Sequence, residues 1–370
     1  MNNRQRQEAV AARADAILAD VRAADAYAGH FEAQMRAARF RAGRNRGLRV
    51  LLWVFNRPEA IALAVVAAFC AFAGFAACVL APVLFSGANG LAAVNTATGR
   101  LVSVTSLPGP LGAVLAADGS LWVADPGTGQ VARVDPKTGA IAAQILVGGE
   151  PGIIADGGGA IWVTDIEGAT VTRIDPATDS VTKTITLPWT YPGAMTVGAG
   201  GLWVADPAAR QLAEIDLATG TLVRLLSLDL QPSAIAADGQ AIWAAGYTSG
   251  TAEKLSAPSG RVLARVRVGD GPVALAAADG SLWVASASDG SVVRVDLATS
   301  AVTAAISVGR DPAALAVAPG AVWVADEGAD AVVRIDPRTA QVTAIVSVTG
   351  APTSLTIADG QIWTGIRRPP

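Results

Sequence analysis

From residue 91 onward the apolar positions fall in short runs separated by turn-forming residues, and the whole pattern recurs every 40 or 41 residues. Trp122, Trp162, Trp203, Trp243, Trp283, Trp323 and Trp363 mark the period. Each lies in a brief apolar run (LWVAD, IWVTD, LWVAD, IWAAG, LWVAS, VWVAD, IWTGI), usually after a Gly-containing turn such as Ala117-Asp118-Gly119-Ser120. Runs of this length bounded by Gly and Asp predict strands. Eleven or twelve residues before each Trp stands a proline, Pro110, Pro151, Pro192, Pro232, Pro272, Pro312 or Pro352, which opens a further apolar run. After each Trp an alternating strand ends in a tight turn, clearest in Val134-Asp135-Pro136-Lys137-Thr138-Gly139. It recurs at Asp175-Pro176, Asp216-Leu217, Asp296-Leu297 and Asp336-Pro337, with Asn95-Thr96 and Ser256-Ala257 as variants. Asp or Asn can bond the backbone two residues on, Pro presets φ, and Gly supplies a positive φ.

Four strands per unit, A after the Pro, B with the Trp, then C and D, make one blade of a β-propeller. Neither end holds a whole blade: residues 91–106 match strands C and D, and residues 352–366 match A and B. Together they make the seventh blade, a closure that leaves no open edge in the ring. The fold class is therefore all-β, a seven-bladed β-propeller over residues 91–370. The seven Trp are packing residues between neighbouring sheets, since the repeat supplies one to every blade.

A different pattern precedes the propeller. Residues 60–85, AIALAVVAAFCAFAGFAACVLAPVLF, carry no charge in 26 positions, and about 20 residues suffice to cross a bilayer's hydrocarbon core. A transmembrane helix is expected there, with residues 86–90 as a linker. Residues 1–59 form a basic helical segment. Within it Val10, Ala14, Ile17, Val21, Ala24, Ala28, Phe31, Met35 and Ala38 step 4-3-4-3 along the chain, the seam of a coiled coil. Residues 8–40 are thus a candidate for self-association, or an amphipathic helix of no fixed partner.

Composition and charge sharpen this division. The charged fraction is only 16% and the mean hydropathy is +0.42. The overall charge of −3 hides a basic head, with eleven Arg against six acids in residues 1–60, joined to an acidic body with 17 bases and 25 acids. Arg36 to Pro58 holds seven Arg and no acid, whereas no charge follows Phe85 until Arg100. The positive-inside rule then places the N-terminus in the cytoplasm and the propeller outside the cell membrane, single-pass. A cleaved signal peptide is the rival reading, because Ser86-Gly87-Ala88 resembles a cleavage site. Cys70 and Cys78 lie eight apart on that helix, about 12 Å, too far to pair. No nucleic-acid partner is expected.

The Pro-led strand, Gly turn, LWVAD and VxRIDPxTG together resemble the propellers of the streptogramin (virginiamycin B) lyase and YVTN-type repeat families over residues 91–370. The resemblance implies the fold. Lyase chemistry in that family is attributed to histidine and a metal-associated acid at the central channel, whereas the only histidine here is His30, expected on the other side of the membrane. The resemblance therefore argues against that reaction. GxSxG, HExxH and P-loop motifs are absent, and no cofactor is expected. Acids ending the B strands, Asp125, Asp165, Asp206 and Asp326, read as loop caps; no metal site is assigned to them.

Departures from the repeat point to a binding face. Every Phe precedes residue 86, so the propeller's aromatics outside the Trp pattern are Trp189 and Tyr191, in the D–A loop entering blade three, and Tyr247, in the B–C loop of blade four. D–A and B–C loops emerge on one face of a propeller, and exposed aromatics are enriched at interfaces. Glu150, Glu167, Asp270, Arg310 and Asp311 occupy loops of the same two kinds and should form a polar rim. The expected function is a membrane-anchored extracytoplasmic binding or sensor module for an external ligand or protein. The alternative is a lyase- or hydrolase-like enzyme using acidic residues and a metal at the channel.

Overall fold

The computed structural model describes residues 89–107, 111–189 and 191–367, apart from the side chain of Ser106. The expected basic helix, transmembrane helix and most of the linker lie outside the described residues. Among the described residues no helix is long and apolar enough to cross a membrane.

Seven antiparallel sheets form the ring. Blade two shows the plan: strand A (Pro151–Gly157), B (Ala160–Asp165), C (Thr170–Asp175) and D (Ser180–Thr186), each paired with the next. Proline opens strand A in blades two, four, five and six, a place where its missing N–H costs no ladder bond. The C–D turn is built as its residues dictate. Asp135 Oδ1 accepts from the Lys137 and Thr138 N–H groups at 2.7 and 3.3 Å, and Asn95 Oδ1 does the same for Ala97 and Thr98 at 3.1 and 2.8 Å.

Blade seven joins the two ends of the ring. Its strand C (Gly90–Asn95) pairs with its strand B (Gln361–Arg367), Gly90 opposite Ile366 and Asn95 opposite Gln361. Strand A of this blade differs from the rest: it is broken into Ala351–Pro352 and Thr356–Ala358. Between the two pieces the Ser354 hydroxyl accepts from the Gly365 N–H at 3.2 Å, so a side chain takes the ladder's place.

The core lies between blades. Trp162, fully buried, packs on Leu202, Val204 and Ile215 of the next sheet, and the equivalent clusters repeat around the ring. In six blades an Arg or Lys also lies over the Trp ring, 5.3 to 5.9 Å from its centroid, a cation–π contact that screens the indole from water. In blade seven Ala93 stands opposite Trp363 instead.

Candidate functional site

The antiparallel meander sends D–A and B–C loops to one face and A–B and C–D turns to the other. On the loop face, the acids that end the B strands tie neighbouring loops together. Asp165 Oδ1 accepts from the N–H groups of Glu150, Glu167 and Gly168 at 2.9, 3.2 and 3.0 Å. Asp326, buried, accepts from Arg310 and Asp311 at 3.2 Å each. Asp125 and Asp206 hold only their own B–C loops. The tie needs space: a Cβ on Gly149, at φ +54°, would fall 1.9 Å from Asp165 Oδ2, which is why that position is Gly. Where Ser286 replaces the acid in blade five, Asp289 takes the part and accepts from the Asp270 N–H at 2.6 Å. Among the described residues no three metal-ligating side chains converge.

The aromatics chosen from the sequence separate into two kinds. Tyr191 and Tyr247 are 58% and 50% exposed on the loop face, and the Tyr247 hydroxyl lies 3.4 Å from Ser288 Oγ. Trp189 is buried with Leu187, Met195 and Leu202, and its indole N–H donates to Gln211 Oε1 at 2.9 Å, so its environment is that of a packing residue. Glu150, Glu167, Asp270, Arg310 and Asp311 are all exposed. Asp270 is ion-paired with Arg267.

The site that sequence reasoning missed lies at the centre. A cavity of about 520 Å³ is walled by the start of strand A, or the loop before it, in every blade. Leu111, Ile153, Met195, Val273, Leu315 and Leu355 supply its aliphatic wall. Arg367, the last described residue, lines it too and is ion-paired with Glu327. At 520 Å³ it falls in the range of small-molecule sites, about 300 to 1,000 Å³. The signal was present in the Pro-led apolar runs, but gathering them requires knowing that all seven A strands face one another.

Two further acids depart from the repeat. On the turn face, the Asp156 carboxyl is held above its ordinary range, first by burial and then by repulsion from Asp118. Glu253, on strand C of blade four, is 3% exposed where Ala132, Thr172, Ala213, Val293 and Val333 stand in other blades. Burial raises its carboxyl, and Arg265, whose Nε lies 2.9 Å from Oε1, opposes the rise.

Residues 234–365 match a family described as a repeat of unknown function (DUF6923). No curated protein matches the sequence. Among solved structures, a streptogramin B lyase superposes with a TM-score of 0.62 at 16% identity, covering 75% of this chain and 95% of that one. Virginiamycin B lyase from Staphylococcus aureus gives 0.61 at 16% identity, covering 75% and 99%. Kuenenia stuttgartiensis hydrazine synthase gives 0.61 at 17% identity, covering 70% and 93%. Identities this low establish likeness of fold alone: the chain is a streptogramin-lyase-like seven-bladed propeller.

Proposed function

We propose that the chain is a membrane-anchored, extracytoplasmic binding module whose ligand enters the central cavity from the loop face. The observation that carries this reading is the cavity itself, where the A strands of all seven blades, or the loops before them, converge with aliphatic side chains on one wall. Binding sites of this kind combine an apolar lining with a few polar groups at the mouth. Anchoring rests on the sequence: 26 uncharged residues at 60–85, preceded by seven Arg from Arg36 to Pro58. The ends of the B strands do not favour the enzymatic alternative, because Asp165 and Asp326 spend carboxylate oxygens on backbone N–H groups.

A fragment set of small apolar and amphipathic molecules, screened by saturation-transfer NMR against the full chain in nanodiscs, tests the reading. Hits are expected for the wild type and expected to be lost in Ala313→Trp, which fills the cavity, with the melting temperature little changed. Hits that persist unchanged in Ala313→Trp would move the site elsewhere. The topology is tested separately. Protease added to intact cells with an opened wall should cleave propeller loops and spare residues 1–55, and a soluble chain beginning near Asn89 would establish cleavage instead.

A further inference from the structure

One pair of charges departs from the repeat at a rung of the sheet that packing alone does not explain. Where strand C meets strand D at this level, the other blades place uncharged pairs such as Ala132–Gln144, Ala213–Leu225 and Val333–Ile345. Blade four alone, among the described residues, places Glu253 opposite Arg265. Leu255, two positions along the same strand, packs with Leu212 of blade three and Leu228 of the loop between the blades, and alternation along a strand puts Glu253 on that same face. Its carboxyl is therefore shut into the seam between blades three and four, with the residue only 3% exposed.

The guanidinium of Arg265 is divided between two carboxylates. Its Nε lies 2.9 Å from Glu253 Oε1, while its Nη2 bonds Asp229 Oδ2. Nε and Nη2 are the parallel donors with which an Arg satisfies both oxygens of one carboxylate. Here they are split, and Glu253 Oε2 is buried without a partner. A neutral carboxyl bears that at modest cost, whereas a charged one loses far more. Burial raises the Glu253 carboxyl above its ordinary 4.5, Arg265 opposes the rise and the Asp229 charge adds to it. The remaining charges around this seam are held elsewhere. Glu214 and Arg224 of blade three are paired at 2.5 Å, and Arg267 is paired with Asp270. Lys254 lies on the opposite face, over Trp243, and Arg210 is exposed on the B–C loop of blade three. Arg265 is thus the cation for which Glu253 and Asp229 compete.

Asp229 stands in the D–A loop of residues 228–231, which is pinned by the buried Leu228 and Leu230 and runs on into Pro232 and Ser233. Ser233 lines the central cavity. We propose that Glu253, Arg265 and Asp229 form a pH-responsive strap on this loop. With Glu253 protonated, Arg265 Nη2 stays on Asp229 and ties the loop to strand D of blade four. Once ionised, Glu253 draws Nη2 inward to its second oxygen, and the loop loses its tie. Because folding raises this carboxyl, the closed strap is fully formed below pH 4.5 and is given up as pH rises through the higher folded value. The strap works in this way whatever the cavity binds.

Amide exchange in the full chain in nanodiscs tests it, read as protection factors so that the intrinsic pH dependence of exchange cancels. In the wild type, protection of residues 228–231 is expected to fall at least about threefold between about pH 4.5 and about pH 8, while the D–A loop entering blade two, which has no such pair, keeps its own. Glu253→Gln should hold the protection of the acid form across the whole range. Asp229→Ala, at a side chain 74% exposed, should show at acid pH the low protection that the wild type reaches at pH 8, with no response to pH. Wild-type protection that is flat over this range, or that falls equally in Glu253→Gln, would overturn the proposal. Should the melting curve show that Glu253→Gln does not fold, Asp229→Ala decides alone: a pH response of the loop that survives this change also overturns the strap.

Discussion

At the scale of single residues, position in the blade decides what a side chain does more than its type. Trp189 and Tyr191 lie two apart in one loop, yet one is 8% and the other 58% exposed. Trp189→Ala should cost about 3–5 kcal/mol of stability, as large-to-small changes in cores do, and leave ligand affinity alone. Tyr191→Ala should stay within about 0.5 kcal/mol, so thermal melts of the pair separate packing from surface. The turn carboxylates predict a pH dependence. The Thr219 N–H, and next its hydroxyl, hold Asp216 below the ordinary 3.8, and Thr299 does the same for Asp296. Their stabilising contribution is therefore present above 3.8 and lost as pH falls through the still lower folded values. Asn95 shows that an amide builds the same turn. Replacing Asp216 and Asp296 together by Asn should flatten the loss of stability between about pH 5 and pH 2; an unchanged acid transition would show that these turns do not limit it. Glu253, whose carboxyl is raised by burial, has the opposite sign: its contribution is present below the ordinary 4.5 and lost as pH rises through the folded value. Glu253→Gln should accordingly stabilise the protein at neutral pH.

At the scale of the blade, five of the seven seams carry a cation reaching from one sheet to a turn carbonyl of the next. These are Arg133 to Pro176, Lys183 to Thr219, Arg224 to Pro258, Lys254 to Leu297 and Arg294 to Pro337, at 2.9, 2.7, 2.5, 2.6 and 2.9 Å. Among the described residues no such bond crosses either seam of blade seven. Arg334 bonds Thr343 and the Gly320 carbonyl within blade six, and Ala93 occupies the place of the cation over Trp363. Amide exchange should therefore be fastest, among B and C strands, in residues 90–95 and 361–367, and equal protection around the ring would contradict this. Arg294→Met should lower stability by about 1.5 kcal/mol and speed exchange at the seam between blades five and six. Much of this scale was legible in the sequence. Trp spacing, the Pro-led runs and the Asp turns each have a local cause, so blades, strands and the split seventh sheet could be read without coordinates. The central cavity was not, because Leu111, Val273 and Leu315 meet only through ring closure. The burial of Trp189 depended on Gln211, 22 positions away, accepting its indole N–H.

At the scale of the whole molecule, closure is the feature on which stability turns. Removing residues 357–370 takes away strand B of blade seven and the last two residues of its strand A, which strips Gly90–Asn95 of its inner partner and cuts strands C and D of the blade off from strand A. An unpaired edge inside a ring exposes both neighbouring cores, so the truncated chain should melt well below the intact one and with loss of the whole β signal rather than of one blade. A melt like that of the intact chain would contradict the closed ring. The same architecture sets an order in time. Strand C of blade seven is among the first parts of the propeller to leave the ribosome, and its partner, beginning at Gln361, among the last. The 266 positions from Asn95 to Gln361 take roughly 13 to 53 s to synthesise at 5–20 residues per second. For that interval Gly90–Asn95 has only strand D beside it. The nascent chain thus carries an apolar edge waiting for a partner not yet made, and any stall in synthesis lengthens that wait.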